Sequence, residues 1–253
     1  MRTLSQVIKK ILVGVLCHKP FARFIVRRSL QLHNLAYRYA GRFSCCLEPG
    51  RLHPKHRLIN YHKWFIDHVQ KDWIVLDVGC GNGALTYDLA CSCHQIVAVD
   101  KNLANIEEAR AHYDLGNIEY VVGKAPDCLG DRVFDAVVLS NVLEHIVDRQ
   151  AFLQALLRRT TRLLIRVPVI DRDWITLYKR EAGLEWRLDP THEIEYTDET
   201  LAAELKAVGL DILVCERKFG EFYCLAAVGQ ESSKGKTNEP FTFTANSERC
   251  PLF

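Results

Sequence analysis

Asp77, Gly79, Gly81 and Gly83 stand at alternate positions in Val75-Leu76-Asp77-Val78-Gly79-Cys80-Gly81-Asn82-Gly83, an apolar run that breaks into a glycine turn with an acid just before the break. Glycines so spaced let a backbone turn sharply and approach a ligand where a Cβ would collide. This is the chemistry of a nucleoside-cofactor loop. Gly79-Cys80-Gly81-Asn82-Gly83-Ala84 also satisfies the loose dinucleotide pattern G-x-G-x-x-G/A, which is weak by itself. Electrostatics separates the two readings. A pyrophosphate at the turn would be repelled by a carboxylate two residues before the first glycine. S-adenosylmethionine brings an ammonium and a sulfonium there instead, and Asp77 becomes an asset. Asp100 closes the next apolar run, 17 residues after Gly83, where an acid can accept hydrogen bonds from both ribose hydroxyls of any adenosine cofactor. His145 and His192 are the two candidate bases for a hydroxyl nucleophile, because histidine titrates near neutral pH.

The elements that must hold these residues follow from hydrophobic periodicity. Strands are predicted at 73–78, 95–100, 117–122, 133–139 and 162–168, with helices at 84–92, 103–113 and 147–159 between them. Such βαβ alternation implies a parallel sheet covered on both faces. Its carboxyl edge carries the glycine loop, Asp100, Gly123-Lys124-Ala125 and Ser140-Asn141-Val142-Leu143-Glu144-His145, beside the crevice where open α/β sheets bind ligands. One helix is predicted over 52–70, leading into the first strand. A long polar-aromatic insertion at 169–196 contains Trp174, Tyr178, Trp186 and His192 and is expected to contact substrate. Thr197 caps the helix that follows and ends near Gly209. Two strands, 211–216 and 222–228, joined by 217–221, close the sheet as a hairpin, and 230–253 is predicted to be disordered.

Charge is distributed unevenly. Residues 1–63 hold 13 Lys/Arg against one acid, Glu48, while the remainder holds 20 against 30, so a front at +12 adjoins a body at −10. The division predicted is a basic, amphipathic helical arm at 1–51, a catalytic domain at 52–229 and the tail. Leu4, Val7, Ile8, Ile11, Leu12, Val15 and Leu16 fall on one helical stripe, as in an interfacial helix. The early apolar run is far shorter than the ~20 residues a membrane span needs. Ten cysteines in a chain of 253 residues form no small-domain disulfide pattern, so reduced thiols and a cytoplasmic setting are expected, peripheral to the inner face of a membrane if the arm meets anionic lipid. Cys91-Ser92-Cys93-His94 has no partner pair at ligand spacing, and no metal is expected there.

Residues 75–83, Asp100, the run 134–140, Leu143-Glu144-His145, Val167-Pro168 and Asp189-Pro190-Thr191-His192 with Tyr196-Thr197 together resemble the class I S-adenosylmethionine-dependent methyltransferases over 52–229. Within that superfamily the chain looks most like the branch of ubiquinone O-methyltransferases and bacterial envelope-glycan enzymes. The resemblance implies an α/β, Rossmann-like, seven-stranded sheet in the order 3-2-1-4-5-7-6 with strand seven antiparallel and helices on both faces. It implies S-adenosylmethionine held at Gly79, Cys80 and Gly81, with Asp77 beneath and Asp100 on the ribose. Arg57, Lys124, Ala125, Ser140 and Asn141 complete the cofactor set, adenine falling to the backbone of Ala125 or to Asp127 because Lys124 stands where relatives carry an acid. The ubiquinone branch binds magnesium through Glu-x-x-Glu-His; here Asn141 replaces the first acid, and no metal is predicted. The implied acceptor is small, glycan or lipid-linked, near an anionic membrane contacted through residues 1–42. A 2′-hydroxyl of RNA is the alternative, the amine-methylating Asn/Asp-Pro-Pro clamp being missing at 140–143. A non-catalytic or dinucleotide-binding Rossmann-like protein is the third.

Overall fold

Residues 18–49 and 53–229 are described by the structure, a computed structural model. The chain divides into two compact units: Met1–Leu58 with Trp174–Trp186, and Ile59–Asp173 with Arg187–Phe253.

The second unit is built on strands β1 (Ile74–Val78), β2 (Gln95–Asp100), β3 (Ile118–Val122), β4 (Ala136–Ser140), β5 (Arg162–Pro168), β6 (Leu210–Lys218) and β7 (Glu221–Val228). They form one sheet in the order β3-β2-β1-β4-β5-β7-β6. The first five run parallel and β7 runs antiparallel to both neighbours. Side chains alternate between two apolar layers, as parallel strands covered on both sides require. Leu76, Val97, Val137, Leu139, Leu163 and Ile165 point to one layer, closed by Leu153 and Leu156 of a helix at Arg149–Leu157 and by Leu201 and Leu205 of another at Asp198–Ala207. Val75, Ile96, Ala136, Val138 and Leu164 point to the other, closed by Trp64 and Phe65 and by Leu85 and Leu89 of the helix at Ala84–Ala90.

Helix starts follow local chemistry. Asn102 accepts from the amide of Ala104 (3.0 Å) ahead of the helix at Leu103–His112, and Asp148 from that of Ala151 (3.0 Å). Thr197 and Thr200 cap each other's backbone amides, at 3.2 and 2.8 Å.

Three features differ from expectation. The single helix expected over 52–70 is two, Lys55–Ile59 and Tyr61–His68, because Asn60 sits in the left-handed region at φ 49, which asparagine tolerates better than most residues. The closing hairpin runs longer on both sides: its turn is only Phe219-Gly220, both at positive φ (52 and 76), as a two-residue turn between twisted strands demands. Reduced thiols are not universal either. Cys215 and Cys224 are directly opposed in the β6–β7 register with Cα atoms 4.2 Å apart and form a disulfide, a pairing that spacing of nine residues did not suggest and the hairpin register creates.

In the first unit a helix at Lys19–Ser44 carries six Lys/Arg and no acid, and buries Leu30 alone. The insertion contributes Trp174–Glu181 as a helix; Asn34 Nδ2 donates to the Glu185 carbonyl (2.7 Å) and Lys179 Nζ lies 3.0 Å from His33 Nδ1. The apolar stripe expected at 4–16 and the tail at 230–253 lie outside the described residues.

Within the sheet, Arg166 of β5 is buried against Glu221 of β7, its Nε and Nη2 each 2.8 Å from a carboxylate oxygen and its guanidinium 3.8 Å from the Tyr61 ring centroid. The Tyr223 hydroxyl donates to the same carboxylate (3.0 Å). Removing one partner leaves a buried charge uncompensated, so Arg166→Met is expected to cost about 3–5 kcal/mol in urea unfolding. Arg166→Met with Glu221→Leu is expected to recover most of that loss.

Candidate functional site

The turn after β1 is shaped by two backbone bonds. Amides of Gly79 (2.7 Å) and Cys80 (3.1 Å) both donate to the Val99 carbonyl at the end of β2, which folds the chain back over the strand ends. Gly79 has φ +70, and a Cβ there would stand 2.8 Å from Val142 Cγ2. At Gly81 (φ +56) an added Cβ would meet nothing within 4 Å, so the loop opens there towards space. Its amide donates to Asp100 Oδ2 (3.0 Å) and the amide of Asn102 to Asp100 Oδ1 (2.8 Å), so the strand-end carboxylate is braced by backbone on both oxygens.

Asp77 lies behind this loop. It is 1% exposed, accepts from the Thr86 hydroxyl at 2.6 Å, and burial pushes its carboxyl up to about 7, with the Asp100 charge adding to the rise. The Cys80 thiol is pushed up by burial and then by Asp77 and Asp100 together. Burial is the main cause of both shifts, and the Asp77 and Asp100 carboxylates beside the turn add the negative charge that favours a cation above it.

A cavity of about 650 Å³ runs along the carboxyl edge of the sheet, a size that suits a nucleoside-containing ligand. Of the residues singled out from sequence, Gly79, Asp100, Lys124, Ala125, Asn141 and His145 line it, and so do Asp127 and Thr191. Asp77, Cys80, Gly81, Ser140 and His192 are not among the lining residues. Ser140 Oγ accepts from Arg166 Nη1 at 3.3 Å. Arg57 belongs to the first unit, where it grips Glu48 with Nε and Nη2 at 3.1 and 2.6 Å.

At the far end of the cavity the 143–145 turn meets the segment after the insertion. The amide of Glu193 donates to the Glu144 carbonyl (2.7 Å), which brings His192 against His145, ring centroids 4.8 Å apart. His192 is buried and its Nδ1 donates to Glu195 Oε1 at 3.0 Å; Glu195 is also held by Arg172 and by the amide of Leu188. Thr191 Oγ1 gives its proton to Asp189 (2.7 Å), so His145 Nδ1, 3.0 Å away, is the donor in that contact. Each ring therefore has its proton on Nδ1 and Nε2 left for chemistry. Burial, and then the neighbouring His192, hold His145 below the ordinary imidazole range.

Glu144 is the residue whose place the sequence did not reveal. It is fully buried, neither carboxylate oxygen has a hydrogen-bond partner, and burial pushes it up to about 8. Ligand atoms offered by Glu144, His145 and His192 all lie within 4.8 Å of one another. The signal available beforehand was the spacing Asp189, Thr191, His192, Glu195, in which one carboxylate orients each neighbour of a ring. What hid its meaning was the 46-residue gap to His145.

A methyltransferase-domain family model matches residues 76–162, the stretch from β1 to the start of β5. The chain is 32% identical over 127 residues to the ubiquinone biosynthesis O-methyltransferase of Bradyrhizobium diazoefficiens, covering 47% of this chain and 50% of that protein. It is 37% identical over 87 residues to the human mitochondrial ubiquinone biosynthesis O-methyltransferase, covering 32% of this chain and 24% of that protein. The chain thus spans half or less of the length of these two relatives. Among solved structures, the DhpI complex with S-adenosylhomocysteine shares the fold at TM-score 0.56 and 19% identity, over 81% of this chain and 97% of that one. The magnesium protoporphyrin IX methyltransferase of Synechocystis PCC 6803, also with bound S-adenosylhomocysteine, does so at TM-score 0.53 and 20% identity, over 69% and 83%. Residues 76–162 thus match a methyltransferase-domain model, and in motif, strand order and sequence the domain is similar to class I S-adenosylmethionine-dependent methyltransferases such as the ubiquinone O-methyltransferases.

Proposed function

We propose that this protein transfers the methyl group of S-adenosylmethionine to a hydroxyl oxygen of a small acceptor, glycan- or lipid-linked, close to an anionic membrane surface. The observation that carries the reading is the single cavity into which both Asp100 and His145 open. S-adenosylmethionine, when bound, supplies a methyl group on a good leaving group, so the protein's work is alignment and removal of one proton. Gly79 and Gly81 give the donor's methionine part a Cβ-free approach, Asp100 takes the ribose hydroxyls, and Ala125 or Asp127 meets the adenine. Asp77 and Asp100 favour the cationic donor over its neutral product through the field under the turn. The acceptor oxygen gains the methyl as the carbon–sulfur bond breaks, and its proton goes to the cluster of His145, His192 and Glu144. Similarity to ubiquinone O-methyltransferases supports oxygen as the nucleophile.

Membrane proximity rests on the Lys19–Ser44 helix, where Phe24, Leu32, Tyr37 and Phe43 are exposed among the basic residues, a combination that binds anionic lipid headgroups. No helix among the described residues is long and apolar enough to cross a membrane.

Calorimetry with S-adenosylhomocysteine tests the donor site. Asp100→Ala is expected to weaken binding about 10–100-fold, the worth of hydrogen bonds to a charged acceptor, and NAD is expected not to bind. Binding of NAD alone would overturn the reading.

Asp77 makes a pH-dependent contribution. Its folded-state pKa, about 7, lies above the unfolded value, so the stability it lends is present below about pH 4 and is lost as pH rises through 7. Asp77→Asn keeps an acceptor for Thr86 and removes the penalty. Urea unfolding of the ligand-free protein is expected to show the variant more stable by on the order of 2–4 kcal/mol at pH 8 than at pH 4, relative to wild type.

For the membrane contact, flotation with vesicles containing phosphatidylserine is expected to carry the protein at low salt and release it at high salt. Replacing Phe24, Arg28 and Leu32 with Ser, Gln and Ser should abolish it; unchanged flotation would remove this part of the proposal.

A further inference from the structure

Two imidazoles meet at the far end of the cavity, and their surroundings are not alike. His145 lines the cavity beside Thr191, whereas His192 is buried and takes no part in that wall. The Nδ1 of His192 is tied to Glu195, and the Glu195 carboxylate is itself buried and gripped by Arg172 and the Leu188 amide. Both members of that pair are packed inside the domain. An acceptor entering the cavity therefore meets the ring of His145 and not that of His192.

What stands behind His145 is a chain of three groups. Asp189 Oδ1 accepts from the amide of Thr191 (2.8 Å) and from its hydroxyl (2.7 Å), and the Thr191 oxygen lies 3.0 Å from His145 Nδ1. The Thr191 amide, and then its hydroxyl, hold the Asp189 carboxyl below the usual carboxylate range against the opposing effect of burial. An ionised carboxylate only accepts, so the threonine proton is committed to it and the hydroxyl can only accept from the ring. The chain runs one way, from imidazole to carboxylate. Of the charges that His145 feels, His192 and Lys101 disfavour its cation and Asp189 favours it. The segment that carries Asp189 and Thr191 is fixed in turn: the His192 amide donates to the Asp189 carbonyl (3.1 Å) and the Glu193 amide to the Glu144 carbonyl (2.7 Å).

We infer that His145 is the ring that takes the acceptor's proton, and that Thr191 and Asp189 are positioning residues which keep its proton on Nδ1 and its Nε2 lone pair towards the cavity. The inference rests on the methyltransferase reading for the reaction it serves. As the acceptor oxygen takes the methyl group, the carbon–sulfur electron pair stays with sulfur and the hydroxyl proton passes to Nε2 of His145. The ring then carries both protons, and the Thr191 oxygen and the Asp189 charge stabilise it until Nε2 returns its proton to water. A base oriented by a hydrogen bond from its other nitrogen to a fixed acceptor is the arrangement that general-base catalysis requires. His192 is then a packed wall against the base rather than a second base.

The test reads the ring itself and needs no acceptor. Long-range proton–nitrogen NMR of the full-length protein labelled at histidine, with His145→Gln to assign the signal, is expected to show a protonated Nδ1 and an unprotonated Nε2 at His145. Thr191→Val removes the acceptor and is expected to populate the opposite tautomer, while Thr191→Ser restores the wild-type pattern. Asp189→Asn is expected to shift part of the population as well, because an amide can donate to the threonine hydroxyl and let it turn its proton to the ring. Diethyl pyrocarbonate, which attacks an unprotonated imidazole nitrogen, should label His145 and spare His192 in peptide mapping, and Thr191→Val should slow that labelling. Calorimetry with S-adenosylhomocysteine checks that each variant is folded, and the near-isosteric Asp189→Asn decides the question if Thr191→Val fails that check. A proton on Nε2 of His145 in the wild type, an unchanged tautomer in the folded variants, or labelling of His192 ahead of His145 would overturn the assignment. Wild-type protein that shows the expected tautomer and labelling yet binds no S-adenosylhomocysteine would instead remove the methyltransferase reading, and with it the reaction this base serves.

Discussion

Pairing of β1 with β2 on one side and β4 on the other is the interaction on which the rest depends. A central parallel strand has its amides and carbonyls consumed on both edges and its side chains buried on both faces, so chemistry can leave it only at its end. Leu76 beside Val97 and Val137 shows the consequence: no polar side chain can stand there, and Asp77, one residue on, is the first that does. Gly79, Asp100 and Asn141 are each found where a parallel strand runs out.

Two kinds of polar burial coexist in the domain and should be kept apart. Arg166 and Glu221 satisfy one another across β5 and β7 in a bidentate pair, with Tyr61 and Tyr223 closing around them, and their role is architectural. Glu144 is buried without a donor, and Asn141 Oδ1 beside it in sequence is likewise unpartnered. A satisfied pair holds strands together. An unsatisfied carboxylate next to two oriented imidazoles is the exception to that rule in this domain.

The segment from 187 to 196 ties two distant parts of the domain together. It returns from the insertion, docks through the Glu193 amide onto the 143–145 turn, and meets the end of β5 in an isolated bridge between Tyr196 and Val169, the Tyr196 amide donating to the Pro168 carbonyl (2.9 Å). Anchored at both the turn and the strand end, this segment holds His192 and Thr191 against the edge of the sheet.

Sequence alone determined the strands, the Thr197 cap, the strand order through family resemblance, and the gathering of Gly79, Asp100 and Asn141 at the carboxyl edge of the sheet, because those signals are local: alternation of apolar residues, glycines at a turn, an acid at a strand end. Thr197 and Asp100 could be placed without knowing what lay opposite them. Only the tertiary structure decided that Asn60 breaks a helix, that Cys215 faces Cys224, and that His192 meets Glu144 and His145 from a distant part of the sequence. The reason is physical: hydrogen bonds and ligand shells need side chains within a few ångströms, and nothing in one-dimensional spacing records which distant loops the packed core brings together.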